Sequence, residues 1–196
     1  MSFVIVDIET TGLSREEHAI TEIAAAKYEN GQIIEEYQTL INPQTHIPSF
    51  ITKLTGITDD MVKDAPLIEH ALPEFLSFIG DATFVGHNAT FDYGFLAHNA
   101  RKHKLAFDAN LLCTCRMANR LIPDIHSKRL GVLCDHFGIN NNQAHRALSD
   151  VRATVQLFDI FYKKLQEHQI SDIPNMIKFT KTPPKKVAQI MQFCLV

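Results

Sequence analysis

The chain has 196 residues, 45% hydrophobic and 21% charged, an ordinary globular balance and long enough to bury one core with a short appendage. Lys and Arg number 19 against 22 Asp and Glu, so the net charge of −3 excludes a protein that grips a long duplex by broad electrostatic attraction. No run of about 18 apolar residues occurs, and the N-terminus passes directly into a strand pattern with no signal-peptide layout; a cytoplasmic protein without membrane contact is expected.

The first element is Phe3-Val4-Ile5-Val6-Asp7-Ile8-Glu9-Thr10, an apolar, β-branched run that reads as a buried strand ended by Gly12-Leu13-Ser14. Side chains two apart on a strand share a face, so Asp7 and Glu9 project together while Val6 and Ile8 point the other way. Two carboxylates on a central strand need counter-charge, because an unpaired, desolvated acid either destabilises the fold or takes up a proton. Bound cations are the simplest source of that charge. Strand patterns follow over 20–28 and 33–41, and the polar Glu29-Asn30-Gly31 between them reads as a hairpin turn.

Helical periodicity then appears over 67–79, 93–103, 116–121 and 130–137. Strands followed by mixed strands and helices suit an α/β domain. Between the first two helical stretches, Val85-Gly86-His87-Asn88-Ala89-Thr90-Phe91-Asp92 starts as a short strand and turns into a helix. Thr90 is the predicted N-cap, which puts Asp92 in the first turn, where the helix dipole favours a carboxylate. Taken alone, Asp92 is equally a helix-capping acid or a functional one.

Cys113, Cys115, Cys134 and His136 invite a zinc reading, but Cys134 lies in the apolar stripe Leu130, Leu133, Cys134, Phe137 and Cys113 follows Leu111-Leu112. Buried, reduced thiols are expected instead, Cys194 included, with no disulfide framework. Farther on, Gln143-Ala144-His145-Arg146-Ala147-Leu148-Ser149-Asp150 opens a long amphipathic helix through Val151, Thr154, Leu157, Phe158, Phe161 and Leu165. One helical face packs on the core and leaves the N-terminal turn free to present His145 and Asp150 to a cleft.

Three segments, Asp-Ile-Glu-Thr-Thr-Gly at 7–12, His-Asn-Ala-Thr-Phe-Asp at 87–92 and His-Arg-Ala-Leu-Ser-Asp at 145–150, stand in the order of the three motifs of the DEDDh 3′→5′ exonucleases. The chain resembles that family, which includes the proofreading epsilon subunit of the bacterial replicative polymerase, ribonuclease T and oligoribonuclease. The resemblance covers about residues 3 to 166 and implies a ribonuclease-H-like fold, an α/β architecture with a mixed sheet flanked by helices. A change of composition after the final helix, at Gln169 to Pro174, divides the chain into an exonuclease domain over 1–170 and a basic tail over 171–196 expected to pack back on it.

By the same resemblance, the catalytic set is Asp7, Glu9, Asp92, His145 and Asp150. The four acids hold two Mg2+ or Mn2+ ions: Asp7, Glu9 and Asp150 at the ion that binds the attacking water, Asp7 bridging to a second ion on which Asp92 acts. Ions about 3.5 to 4 Å apart lower the pKa of water, neutralise the phosphate and stabilise the leaving 3′ oxygen, and oxygen ligands favour magnesium or manganese over zinc. His145 is the implied general base, a role suited to an imidazole near neutrality.

The family's terminal-nucleotide pocket maps to Thr10, Leu13 and Leu54-Thr55-Gly56-Ile57, with Leu13 and Ile57 expected to sandwich the last base without reading it. Phe91 either adds an aromatic surface there or anchors its helix in the core. Cys113-Thr114 departs from the family in lacking an acid before the threonine, at a position outside the catalytic five. Lys128, Arg129 and Arg146 are candidate phosphate contacts or solvated charges.

The expected partners are single-stranded DNA or RNA 3′ ends and, if the chain is a proofreading subunit, a DNA polymerase; the sequence leaves oligomeric state open. In the tail, Lys178, Lys181, Lys185 and Lys186 surround Pro183-Pro184 and could reach a substrate backbone or a partner. Residues 187–196 read as a short helix that folds back. Gln189-Ile190-Met191-Gln192-Phe193 faintly resembles the peptides that dock on sliding clamps.

Overall fold

A computed structural model describes residues 1–141 and 143–187. In chain order the elements are β1 (Phe3–Thr10), β2 (Ile20–Glu29), β3 (Gln32–Leu40), α1 (Ser49–Thr55), α2 (Asp59–Val62), α3 (Ile68–Ile79), β4 (Thr83–Gly86), α4 (Thr90–Lys102), β5 (Leu111–Cys113), α5 (Thr114–Leu121), α6 (Leu130–Phe137), α7 (Ala147–Glu167) and α8 (Ile173–Lys181). The strands form one sheet in the order β3-β2-β1-β4-β5. β1 to β3 are antiparallel neighbours, whereas β4 and β5 run parallel to β1. The expected mixed sheet between helices is therefore the observed architecture.

β1 is central because both of its faces are apolar along most of its length. Phe3 and Ile5 pack into one core with α5, α6, α7 and α8, while Val4, Val6 and Ile8 pack into a second core with α3 and α4. The first core begins with a knot of rings: Phe3 meets Phe158 of α7 edge-on at 4.9 Å, and Tyr28 meets the same Phe158 at 5.6 Å. Phe3 is 1% exposed, so Phe3→Ala would cost about 3 to 5 kcal/mol. This knot fixes the middle of α7 against β1 and β2. The N-terminal end of the helix reaches the carboxyl-terminal part of β1, where Asp7 and Glu9 lie.

The hairpin turn at Asn30-Gly31 has both residues at positive φ, +50° and +86°, the conformation that suits a two-residue turn between twisted strands. β3 is the exposed edge. It is charged on its surface: Glu35 pairs with Lys27, and Glu36 makes two 2.7 Å bonds to Arg152 of α7. Charge on an edge strand discourages edge-to-edge association.

Three local expectations change. Thr90 is the first residue of α4 and not its cap; the cap is Ala89, with helical angles and no side-chain bond. α7 begins at Ala147, so His145 precedes the helix, at φ +65°. Cys113 and Cys134 are buried free thiols, but Cys115 is half-buried. After α7, helix α8 sets Met176 and Phe179 into the first core beside Ile170. Cys194 and, apart from Val187, the helix read over 187–196 with its Gln189–Phe193 stretch lie outside the described residues. Among the described residues no helix is long and apolar enough to cross a membrane.

Candidate active site

The two motifs that flank β1 in space arrive by different routes. β4 runs parallel to β1 and delivers the 87–92 segment beside the carboxyl end of β1. There Asp92, 3% exposed, accepts a bond from the Ile8 backbone N–H at 3.2 Å, tying α4 to β1. α7 crosses the opposite face and brings Asp150, 8% exposed. A cleft of about 870 Å³ opens between them, lined by Asp7, Glu9, Asp92, His145 and Asp150 together with His87, Asn88, Phe91, Lys128, Arg129 and Asn141 among others. All five predicted catalytic residues share its wall.

The segment before α7 is held by side chains. Asp150 accepts from the His145 backbone N–H at 2.8 Å through one carboxylate oxygen and from Asn141 Nδ2 at 2.6 Å through the other. Ser149 Oγ donates to Asn141 Oδ1 at 2.8 Å and closes the ring. An acid in the first helical turn that reaches back to the chain before the cap is the logic of a capping box. One imidazole nitrogen of His145 and a carboxylate oxygen each from Glu9 and Asp150 lie within 4.8 Å of one another.

Lys128 and Arg129 line the cleft, but among the described residues its acids have no ion-pair partner. None of the ion pairs among the described residues involves Asp7, Glu9, Asp92 or Asp150. Desolvation, reinforced by Asp92, Glu9 and Asp150, holds the Asp7 carboxyl well above the usual carboxylate range. Glu9 is pushed up to about 8, mainly by burial and then by Asp150, Glu22 and Asp92, against the opposing charge of Arg146. Burial also raises Asp92, against the opposing bond from Ile8. Acids that obstruct one another's ionisation, lined up as hard oxygen donors with no protein cation among them, fit divalent cations of the magnesium or manganese type.

The pocket residues divide. Leu13 is 85% exposed and lines a groove with Arg15, Asn88, Thr90, Phe91 and Phe95. Asn88 and Phe91 line both this groove and the cleft, so the two are continuous. The turn that carries Leu13 depends on Gly12, where a Cβ would lie 2.2 Å from the His18 ring. Phe91 is half-buried with its ring 5.0 Å from that of Phe95. Leu54 is half exposed, on α1.

Ile57 corrects the sandwich expectation. It has no exposed surface and packs with Ile47, Ile51 and Val62, because Gly56 ends α1 in the left-handed conformation and turns the next residue inward. Thr10 is also buried, and its hydroxyl donates to the Gly12 carbonyl at 2.6 Å. Neither residue lines the cleft or the groove.

Of the candidate phosphate contacts, Lys128 and Arg129 line the cleft. Arg146 does not; its guanidinium is turned to Glu22 on β2. His87 supports the Lys128 segment, with one ring nitrogen 2.7 Å from the Lys128 carbonyl and the other 2.9 Å from Thr114 Oγ1, and burial lowers its pKa. Sequence reasoning missed Glu22, Asn141 and the bracing role of His87. Glu22 had a visible signal, a lone acid inside the apolar strand 20–28.

The exonuclease family model RNase T matches residues 4–158. A PolC-type DNA polymerase III from Caldanaerobacter subterraneus subsp. tengcongensis is 42% identical over 188 residues, which are 94% of this chain and 13% of that protein. The chain thus spans about an eighth of such relatives. Exonuclease X in complex with 5′ overhanging duplex DNA superposes with a TM-score of 0.73 at 27% identity, covering 91% of this chain and 99% of the other. Exonuclease I of E. coli, in complex with a dT13 oligonucleotide, shares the fold at a TM-score of 0.74 and 19% identity, over 84% of this chain and 42% of that one. A cleft of converging acids on this sheet, reached by the three motifs in order, and a family match spanning most of its length make the chain a member of the RNase T exonuclease family, the DEDDh group that its motifs resemble.

Proposed function

We propose that the chain is a divalent-metal-dependent 3′→5′ exonuclease that removes nucleotides from single-stranded or unpaired DNA ends as 5′-monophosphates. The observation that carries this reading is the meeting of Asp7, Glu9, Asp92 and Asp150 in one cleft with His145 at its mouth and no protein cation among the acids. Two bound Mg2+ or Mn2+ ions, held by Asp7, Glu9 and Asp150 with Asp92 toward the second, would activate the water and offset charge on the phosphate and the leaving oxygen. His145, exposed beside Glu9 and Asp150, takes the proton of the attacking water. The water oxygen bonds to phosphorus, the P–O3′ bond breaks with its electron pair passing to O3′, and that oxygen takes a proton from solvent, so the shortened strand leaves with a 3′ hydroxyl.

Leu13 and Phe91 offer apolar surface for the terminal base at the junction of cleft and groove, with Thr10 shaping the turn behind Leu13. Lys128 and Arg129 face the incoming phosphates. The activity is assigned to residues 1–170, with 171–196 as an appendage. Matched end-labelled DNA and RNA oligonucleotides test the reading: stepwise loss from the 3′ end of DNA supports it, whereas 5′ digestion or cutting of a circular single strand contradicts it. Preference for RNA would make the chain an RNA-trimming enzyme on the same site. A second reading, a proofreading module within a polymerase complex, is favoured by the 42% identity to a segment of a PolC-type polymerase. Co-purification with a polymerase subunit from a cytoplasmic extract would support it; robust activity of the isolated chain would favour the stand-alone enzyme.

A further inference from the structure

Glu22 has no exposed surface, yet it is an acid within the buried stretch Ile20–Ala26 of β2. It sits directly opposite Glu9 in the β1/β2 pairing. Its carboxylate is fully engaged: Oε1 accepts from Arg146 Nη2 at 3.1 Å and Gln38 Nε2 at 2.7 Å, and Oε2 accepts from the Ala147 backbone N–H at 3.1 Å and lies 3.4 Å from Arg146 Nε. Ala147 is the first residue of α7, whose own cap, Arg146, makes no side-chain capping bond. The carboxylate of a different strand therefore caps this helix. A negative charge at a helix N-terminus also meets the positive end of the helix dipole.

The location of this cap matters. Arg146 follows His145 directly and α7 delivers Asp150 one turn later, so the Glu22 bonds fix the origin of both side chains. His145 is held at φ +65°, a conformation that a non-glycine residue adopts only when its surroundings impose it. Two clamps impose it here: Asp150 on the His145 N–H from the helix side, and Glu22 on Arg146 and Ala147 from the sheet side. Because Glu22 lies opposite Glu9, the second clamp references the histidine to the strand that carries Asp7 and Glu9.

We infer that the pair formed by buried Glu22 and part-exposed Arg146 is a positioning device that sets His145 and Asp150 against Asp7 and Glu9, and that Arg146 does not bind substrate. The inference rests on the nuclease reading given above. Groups that orient metal-binding and catalytic side chains typically change affinity or rate by about 10- to 100-fold when removed. The pair acts on geometry at the reacting centre, so its loss should appear in kcat and in metal affinity, not in KM for the nucleic acid.

The test uses the full chain with Glu22→Gln, Arg146→Gln and Arg146→Lys. Three quantities are read well below each variant's melting temperature: kcat and KM on a single-stranded 3′-end substrate with Mg2+, and Mn2+ affinity by calorimetry without nucleic acid. Glu22→Gln and Arg146→Gln should lower kcat about 10- to 100-fold, weaken Mn2+ several-fold, and leave KM within about twofold. Arg146→Lys, which keeps the charge, should recover part of both losses. Raised KM with unchanged kcat in the Arg146 variants would make Arg146 a phosphate contact and overturn the proposal. So would unchanged kcat and Mn2+ affinity. Should Glu22→Gln fail to fold, the two variants of half-exposed Arg146 decide alone. A wild-type chain that binds Mn2+ but shortens no strand would sink the nuclease reading, and the Mn2+ affinities would still decide the positioning role.

Discussion

Glu9 and Glu22 face each other across neighbouring strands and have opposite fates. Glu22 is fully buried and surrounded by donors: a guanidinium, an amide and a backbone N–H. Glu9 is half-buried, has no ion-pair partner, and sits among other acids that push its carboxyl to about 8. A buried charge is tolerated when paired and hydrogen-bonded, as Glu22 is. Two residues of the same type at the same level of the sheet thus separate what the fold satisfies internally from what it leaves for something outside the chain. The same contrast runs along the whole β1–α7 contact. At one end Phe3, Tyr28 and Phe158 close on one another; at the other, carboxylates meet with no cation between them.

The largest expected effects come from breaking the unsatisfied end. Asp7→Asn or Asp150→Asn should reduce metal-dependent hydrolysis by about 10³-fold or more, the scale at which transition-state charge stabilisation is lost, with the circular dichroism spectrum of the wild type retained. Near wild-type turnover in saturating Mg2+ would remove these acids from the chemistry. His145→Ala should slow the reaction by roughly 10²- to 10⁴-fold and flatten the acidic limb of the pH–rate profile, because the base must be neutral to accept a proton. An unchanged limb at high rate would assign the proton to another group.

A third expectation concerns stability without metal. A carboxyl raised to about 8 in the folded chain, against an ordinary value of 4.5, favours the fold when protonated. That contribution is complete below about pH 4.5 and is lost as pH rises through about 8. The metal-free chain should therefore melt at a lower temperature at pH 9 than at pH 6.5 as far as this cluster decides. Glu9→Gln should remove part of that decline and raise the melting point at pH 9 by roughly 5 °C, or about 2 kcal/mol after solvent screening of a half-buried group. Lower stability of Glu9→Gln at that pH would show that Glu9 is satisfied after all.

The smallest effect lies at the groove. Leu13→Ala should raise KM for a single strand about 3- to 10-fold, the loss of one apolar contact of roughly 1 kcal/mol, and leave Mn2+ affinity unchanged. A paired end must first give up about 1.4 kcal/mol per base step, so blunt duplexes should be shortened more slowly than mismatched ends by wild type and variant alike.

Much of this contrast was visible in the residues. The β-branched run 4–6 and the alternation at Asp7 and Glu9 marked the strand and its acidic face, and the stripe Leu130, Leu133, Cys134, Phe137 marked α6 from its first to its last residue. The three motifs carried the family. What local reading missed depended on partners far away in the chain. Glu22 and Arg146 are 124 positions apart, so strand periodicity flagged an odd acid without saying what would satisfy it. Ile57 was expected at the terminal base because the family's pocket maps to Leu54-Thr55-Gly56-Ile57, but the inward turn after α1 depends on a pocket built by Ile47, Ile51 and Val62. Thr90 has the chemistry of a cap, yet the chain enters α4 one residue earlier through Ala89, already in helical conformation.

The central claim is that the acids at the carboxyl end of β1 are left for divalent cations while their neighbours are satisfied within the chain. Calorimetric titration of Mn2+ into the full chain near neutral pH, for wild type, Asp7→Asn and Glu36→Gln, tests it most directly. Glu36 is the control, an acid already held by Arg152. The account predicts saturable binding of two ions by wild type and Glu36→Gln, accompanied by a higher melting temperature, and loss of that binding in Asp7→Asn. Binding that Asp7→Asn leaves intact, or no saturable binding by the wild type, would contradict it.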